Sequence, residues 1–142
     1  FSWPYYLRWR RLKLAWQDYQ QRLQDLQGAP GEDLCEFINQ LNATWKPYVS
    51  ADQPYDLSSL TAAELREREP QLNLSSTDAH AAIELQQAEE DVNYAGQNNL
   101  DIELCRCRAE TLLENAYQRR LEAIKHPVDR PQAPIPQAPH YA

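Results

Sequence analysis

Hydrophobic residues near the start of the chain recur at alternating steps of four and three. They are Tyr5, Trp9, Leu12, Trp16, Tyr19, Leu23 and Leu26. This spacing places them along one stripe of an α-helix, as in a heptad repeat. Pro4 is tolerated in a first helical turn, and Gly28 is a typical residue just past a helix end. The pattern therefore predicts a helix over residues 4–27, and its aromatic stripe needs a partner surface.

The same helical periodicity returns along the rest of the chain as far as residue 126. It predicts four more helices, at about residues 32–45, 61–69, 77–95 and 101–125. Pro47 should end the second helix, and residues 47–58 should form an extended loop. Thr61 and Glu64 have the spacing of a capping box, so they should open the third helix, which Pro70 should end.

The segment from Gly96 to Asn99 is poor in helix-forming residues and separates the last two predicted helices. We expect it to be the hinge of an antiparallel helix pair; the alternative is one long helix through Gly96. With 3 Gly against 10 Pro, the composition does not suit a turn-rich β-sandwich or barrel. The predicted fold is therefore all-α: a small helical bundle of about five helices with an antiparallel C-terminal pair and an extended Pro-rich tail.

The last sixteen residues differ in kind from the helical part. They contain five prolines and the repeated tetrapeptide Pro-Gln-Ala-Pro at 131–134 and 136–139. Such a segment favours the extended polyproline II conformation, which loses little entropy on binding. We expect the tail to dock in a groove of a neighbouring subunit; the alternative is a spacer. The predicted contacts are the repeat prolines with an aromatic anchor: Pro131, Pro134, Pro136, Pro139 and Tyr141.

Charge divides the chain in a similar way. Residues 1–30 carry five Lys and Arg against two Asp, whereas residues 31–104 carry three basic and fifteen acidic residues. The predicted organisation is a basic aromatic N-terminal helix (1–30), an acidic helical body (31–126) and the tail (127–142). A length of 142 residues suits one domain.

Motifs that carry chemistry are missing from the sequence. The three glycines are too scattered for a phosphate loop, and no Gly-x-Ser-x-Gly or His-Glu-x-x-His motif occurs. Cys105 and Cys107 would point to different sides of a helix and could not share a metal. We therefore expect no enzyme activity, no catalytic residue, no cofactor and no metal. Three cysteines are too few for a disulfide scaffold, which favours a reduced, cytosol-like compartment.

The basic aromatic head suggests two functions. The first is a non-enzymatic assembly subunit that docks on other protein subunits, or on further copies of itself. Its contacts would be the tail and five aromatic residues of the N-terminal helix (1–30): Trp3, Tyr5, Trp9, Trp16 and Tyr19. The acidic body would repel phosphates, so nucleic acid is an unlikely partner.

The second function is a membrane-tethered or membrane-surface module. Aromatic rings and cations both suit the headgroup region of a bilayer. The cations that would contact lipid are Arg8, Arg10, Arg11 and Lys13. Because the chain begins at Phe1 and contains no Met, we expect an upstream segment, which on this hypothesis would be the membrane anchor.

Overall fold

The computed structural model describes residues 3–26 and 33–126, and within these ranges the chain is helical without any β-strand. The described residues form five α-helices: α1 (Trp3–Asp25), α2 (Leu34–Ser50), α3 (Ala62–Arg68), α4 (Ser76–Tyr94) and α5 (Ile102–Lys125). Two short 3₁₀ turns, Leu57–Ser59 and Glu69–Gln71, flank α3. The prediction of an all-α bundle of about five helices is confirmed.

Side-chain caps explain where four of these helices begin. Asp33, Thr61, Ser75 and Asp101 each accept a hydrogen bond from a backbone N–H in the first turn of the following helix. These bonds satisfy donors that have no partner inside the helix. At Thr61 the predicted capping box is complete, because the Glu64 carboxylate accepts the Thr61 N–H at 3.0 Å in return.

Gly96 separates α4 from α5, so the predicted antiparallel pair is confirmed and the single long helix is not formed. Its φ of +72° lies in the left-handed region that favours glycine. The two helices then run side by side in opposite directions. Asp78, at the start of α4, accepts hydrogen bonds from the amide of Asn115, in the second half of α5, at 2.9 and 3.0 Å.

The predicted end of the second helix was wrong, because α2 continues through Pro47 to Ser50. Proline lacks an N–H, and its ring crowds the preceding turn, which costs a helix about 3 kcal/mol. Tyr48 and Val49 are both buried in the core. Burying each such side chain contributes roughly 1.5–3 kcal/mol, which offsets that cost. The connection between α2 and α3 therefore starts after Ser50, later than the predicted loop 47–58.

The four long helices surround one hydrophobic core, and α2 packs against α1, α4 and α5. The most deeply buried large side chains come from α1, α2, α4, α5 and the 57–65 region: Leu23, Ile38, Leu41, Trp45, Leu57, Leu65, Leu85, Leu112 and Leu113. Helix α1 runs antiparallel to α5: the Trp16 ring stacks on the Tyr117 ring at 4.5 Å, whereas the end of α1 reaches Arg106. The aromatic stripe of α1 thus finds much of its partner surface within the chain.

A buried polar network fixes how α2 and α4 pair. The Asn42 amide donates to the Leu85 carbonyl at 3.0 Å, and the Trp45 indole donates to Asn42 Oδ1 at 2.8 Å. One turn further on, the buried Lys46 ammonium donates to the Gln86 side chain. Because a buried polar group without a partner is costly, sliding α2 along α4 would be unfavourable.

Candidate docking site at the free end of α1

The second half of α1 is held firmly by the bundle. Leu23 is fully buried, and the Tyr19 ring lies 5.1 Å from the ring of Tyr48 in α2. Together with the Trp16–Tyr117 stack, these contacts pack the apolar stripe of α1 against the core from the middle of the helix to its C-terminal end. This half of α1 behaves as part of the core.

Arg106 of α5 caps the C-terminal end of α1. Its guanidinium donates to the carbonyl oxygens of Leu26 at 2.7 Å and Gln24 at 3.3 Å. A third contact, to the carbonyl of Leu23, is longer at 3.5 Å. The last carbonyls of a helix lack partners inside the helix and carry partial negative charge, so a guanidinium is well suited to this place.

The first turns of α1 project past the end of α5. Arg8 and Leu12 line the same groove as Ile124, and α5 ends one residue later at Lys125. In an antiparallel pair, residues 3–7 therefore lie beyond the last turn of α5. Trp3, in the first turn, is 69% exposed.

Three aromatic side chains form a ladder along this projecting end. The rings of Trp3 and Tyr6 stack at 5.6 Å between centroids, and those of Tyr6 and Trp9 are 6.0 Å apart. The ammonium of Lys13 lies 5.1 Å above the Trp9 ring. We call Trp3, Tyr6 and Trp9 the aromatic ladder. Trp3 is the exposed member of the ladder, whereas Tyr6 and Trp9 are half-buried.

Positive charge surrounds the aromatic ladder. Arg8, Arg10, Arg11 and Lys13 occupy the same turns of α1, and none of them lies within ion-pair distance of a carboxylate in the part of the chain that the structure describes. The acidic residues of α1 come later, at Asp18 and Asp25. Asp18 is already paired with Arg22 at 2.8 Å. The end of α1 therefore combines exposed aromatic surface with uncompensated cations.

The sequence-predicted contact residues fall into three groups in the structure. Trp16 and Tyr19 are half-buried and pack against the core, Tyr5 and Trp9 are half-buried nearer the start of α1, and Trp3 is exposed. The tail residues Pro131, Pro134, Pro136, Pro139 and Tyr141 lie outside the described residues. Tyr6 was not predicted, although its spacing of three from both Trp3 and Trp9 is the signal of an aromatic row on a helix.

In residues 3–26 and 33–126, no group of three or more His, Cys, Asp or Glu side chains lies together as metal ligands would. Cys35, Cys105 and Cys107 are free thiols, and burial raises the pKa of Cys105, which makes this thiol a poor nucleophile. None of the helices in these ranges is both long and apolar enough to cross a membrane.

Comparison with protein families, curated proteins and solved structures gives no significant match to this chain. An all-α bundle by itself supports no particular activity, because helical bundles carry many unrelated functions. The exposed end of α1 is therefore the feature from which a function can be inferred.

Proposed function

We propose that the chain is a non-enzymatic assembly subunit that docks on other protein subunits, or on further copies of itself, through the aromatic ladder and the Pro-rich tail. The observation that carries this proposal is the exposure of Trp3 at the tip of a helix whose other half is fixed in the core. Tryptophan and tyrosine are enriched among the residues that dominate the energy of protein interfaces.

The ladder is prepared for binding by its attachment to the bundle. Because the second half of α1 is packed, a partner would not need to order this helix, and little conformational entropy would be lost. A large aromatic side chain can bury roughly 150–250 Å², and Trp3 is the member of the ladder that has most of this area still exposed. A partner that covers Trp3 would also contact the remaining exposed parts of Tyr6 and Trp9.

The tail would add a second contact, because it begins where α5 ends. Residue 127 follows α5, whose C-terminal end lies beside the projecting turns of α1. When two binding elements belong to one chain, engagement of the first raises the effective concentration of the second. We therefore expect the ladder and the tail to act on one partner or on two adjoining subunits.

The test compares Trp3→Ser with Tyr94→Ser in the full chain. Tyr94 is 87% exposed at the end of α4, on the side of the bundle away from the ladder, so its replacement removes a similar exposed ring. In extracts of the cells that make the protein, sedimentation should show wild type and Tyr94→Ser in the same large species, and Trp3→Ser in a smaller one. Equal sedimentation of all three proteins would contradict the proposal.

A membrane-surface module is the second candidate. The observation that favours it is the group of cations on the same turns of α1 as the ladder. At a bilayer surface, Trp and Tyr side chains lie at the headgroup level, and Arg and Lys contact anionic lipid. Flotation with vesicles of phosphatidylcholine and phosphatidylserine tests it. Changing Arg8, Arg10, Arg11 and Lys13 to Glu should abolish flotation if this candidate is correct. A wild-type protein that does not float would rule it out.

A further inference from the structure

A second feature lies beside the ladder, in a groove between α1, α5 and the turn that follows α2. The groove has a volume of about 470 Å³. Helix α1 contributes Arg8 and Arg11, helix α5 contributes Arg120 and Ile124, and the turn contributes Asp52. We call it the arginine groove. It is open to solvent and brings together cations that are more than one hundred residues apart in sequence.

The charge in the arginine groove is strongly unbalanced. Asp52 is the one acidic residue among those that line it. Both carboxylate oxygens of Asp52 are already engaged by Arg119, at 2.8 Å from Nε and 3.2 Å from Nη2. Arg119 also lies 3.8 Å from Asp78, so Asp52 keeps part of its negative charge. The three lining arginines nevertheless outnumber Asp52, and none of them lies within ion-pair distance of a carboxylate among the described residues.

Arg120 is held in place before any ligand arrives. Its guanidinium lies 4.0 Å from the centre of the Tyr48 ring, a cation–π contact with a side chain that is itself buried in the core. The Tyr48 ring therefore fixes the guanidinium of Arg120 at the wall of the groove, which Arg120 lines. A cation that is already held in position loses little conformational entropy when an anion binds.

We propose that the arginine groove binds a phosphate group. Three guanidinium groups offer more N–H donors than the two oxygens of a carboxylate can accept. A phosphate presents three or four oxygens and up to two charges, which matches the fork geometry of arginine. The phosphate would belong either to a free phosphate compound or to a lipid headgroup. This site does not involve the aromatic ladder, so it goes beyond the proposed docking function. It shares Arg8 and Arg11 with the membrane-surface candidate, whereas Arg10 belongs to that candidate alone and lies outside the groove.

The first experiment uses inorganic pyrophosphate as the probe. The ¹⁵N-labelled full chain is titrated at constant ionic strength, and chemical shifts of backbone amides and arginine side chains are followed. Saturable shifts should cluster around residues 8, 11 and 120. The double variant Arg8→Gln/Arg11→Gln removes two charged hydrogen-bond donors from the protein surface, so the Kd should rise roughly tenfold or more.

Arg10→Gln is the matched control. Arg10 lies on the same helix but is turned about 150° away from the groove, so this variant removes one positive charge without touching the site. The Kd of Arg10→Gln for pyrophosphate should stay within about twofold of wild type, because salt screens an exposed charge that lies outside the groove. The proposal would be overturned if pyrophosphate caused no saturable shift. It would also be overturned if Arg10→Gln weakened binding as much as Arg8→Gln or Arg11→Gln does. Arg120→Lys, which keeps the charge but not the forked guanidinium, should bind more weakly than wild type.

The second experiment distinguishes the two sources of phosphate. Flotation is measured with phosphatidylcholine vesicles that contain either phosphatidic acid or an equal charge of oleate. Loss of phosphatidic acid binding in Arg8→Gln/Arg11→Gln, with Arg10→Gln unaffected, identifies a lipid headgroup. Pyrophosphate binding that depends on the groove, together with vesicle binding that does not, identifies a free phosphate compound. If neither pyrophosphate nor phosphatidic acid binding depends on the groove arginines, the proposal is wrong.

Discussion

Replacing Arg106 with Met tests how α1 is held on the bundle. The substitution keeps an unbranched apolar side chain next to Phe37, over whose ring the guanidinium lies at 5.8 Å. It removes the hydrogen bonds to the carbonyls of Leu26 and Gln24 at the end of α1. The substitution also removes the ion pair with Glu103, which is mostly exposed and lies 4.0 Å from Arg106. Losing such an exposed ion pair should change the stability little.

The size of the effect follows from the geometry. Only the bond to Leu26, at 2.7 Å, is short, and a hydrogen bond to a charged group contributes about 1.5–3 kcal/mol net. The cation at the C-terminal end of a helix adds about 0.3–1 kcal/mol. Since the Arg106 side chain is largely shielded from solvent, little of this is screened. We expect Arg106→Met to weaken the attachment of α1 by about 2 kcal/mol, the lower part of this range.

Hydrogen exchange of backbone amides measures this attachment directly. A loss of about 2 kcal/mol should speed exchange in the second half of α1 by roughly 30-fold, if α1 opens before the rest of the bundle. Amides in α4 should be less affected. The control is Arg108→Met, two residues along α5, because among the described residues Arg108 makes no hydrogen bond or ion pair with α1. Equal protection of α1 in both variants, or an equal loss in α1 and α4, would refute the reasoning.

Three further predictions concern the core and the hinge. Burial raises the pKa of Tyr48 to about 12, although the positive charge of Arg120 acts in the opposite direction. The protonated hydroxyl of Tyr48 therefore contributes fully to stability below pH 10, and this contribution is lost as the pH rises through 12. Urea unfolding of Tyr48→Phe should lack this loss, about 1 kcal/mol at pH 11; a parallel decline in both proteins would contradict it. Burial lowers the pKa of Lys46, so the unfolded chain binds its proton more tightly and Lys46 should favour folding increasingly as the pH rises towards 10.5. The unfolding free energy of wild type should therefore rise relative to that of Lys46→Met between pH 7 and 10. A difference that does not change with pH would contradict this prediction. Gly96→Ala should cost about 1 kcal/mol in thermal unfolding, because the left-handed backbone is strained for alanine while nothing lies within 4 Å of the added carbon; an unchanged Tm would show that the hinge tolerates other backbone angles.

The features that could be predicted from sequence are those set by neighbouring residues. The heptad spacing of the first helix, the capping box at Thr61 and the hinge at Gly96 each depend on a few adjacent positions, and the structure has all three. The aromatic stripe of α1 was correctly expected to need a partner surface. For Trp16 and Tyr19, this partner surface is the core of the same chain. The spacing of residues within one helix could not show whether the partner belongs to the same chain or to another.

Features set by the packing of distant segments were missed. The local rule that proline ends a helix failed at Pro47, because the burial of Tyr48 and Val49 is decided by the helices around them. The arginine groove joins residues 8 and 120, whose proximity follows only from the antiparallel packing of α1 on α5. Sequence spacing carries no trace of such a contact.

Photo-crosslinking at position 3 tests the central claim most directly. A benzoylphenylalanine replaces Trp3 in the full chain, or Tyr94 as the control, and the protein is irradiated in the cells that make it. Both positions are highly exposed in the free chain, at 69% and 87%. We predict a discrete protein adduct of fixed mass at position 3, either with another subunit or with a second copy, and no such adduct at position 94. The same products at both positions, or none at position 3, would contradict the account.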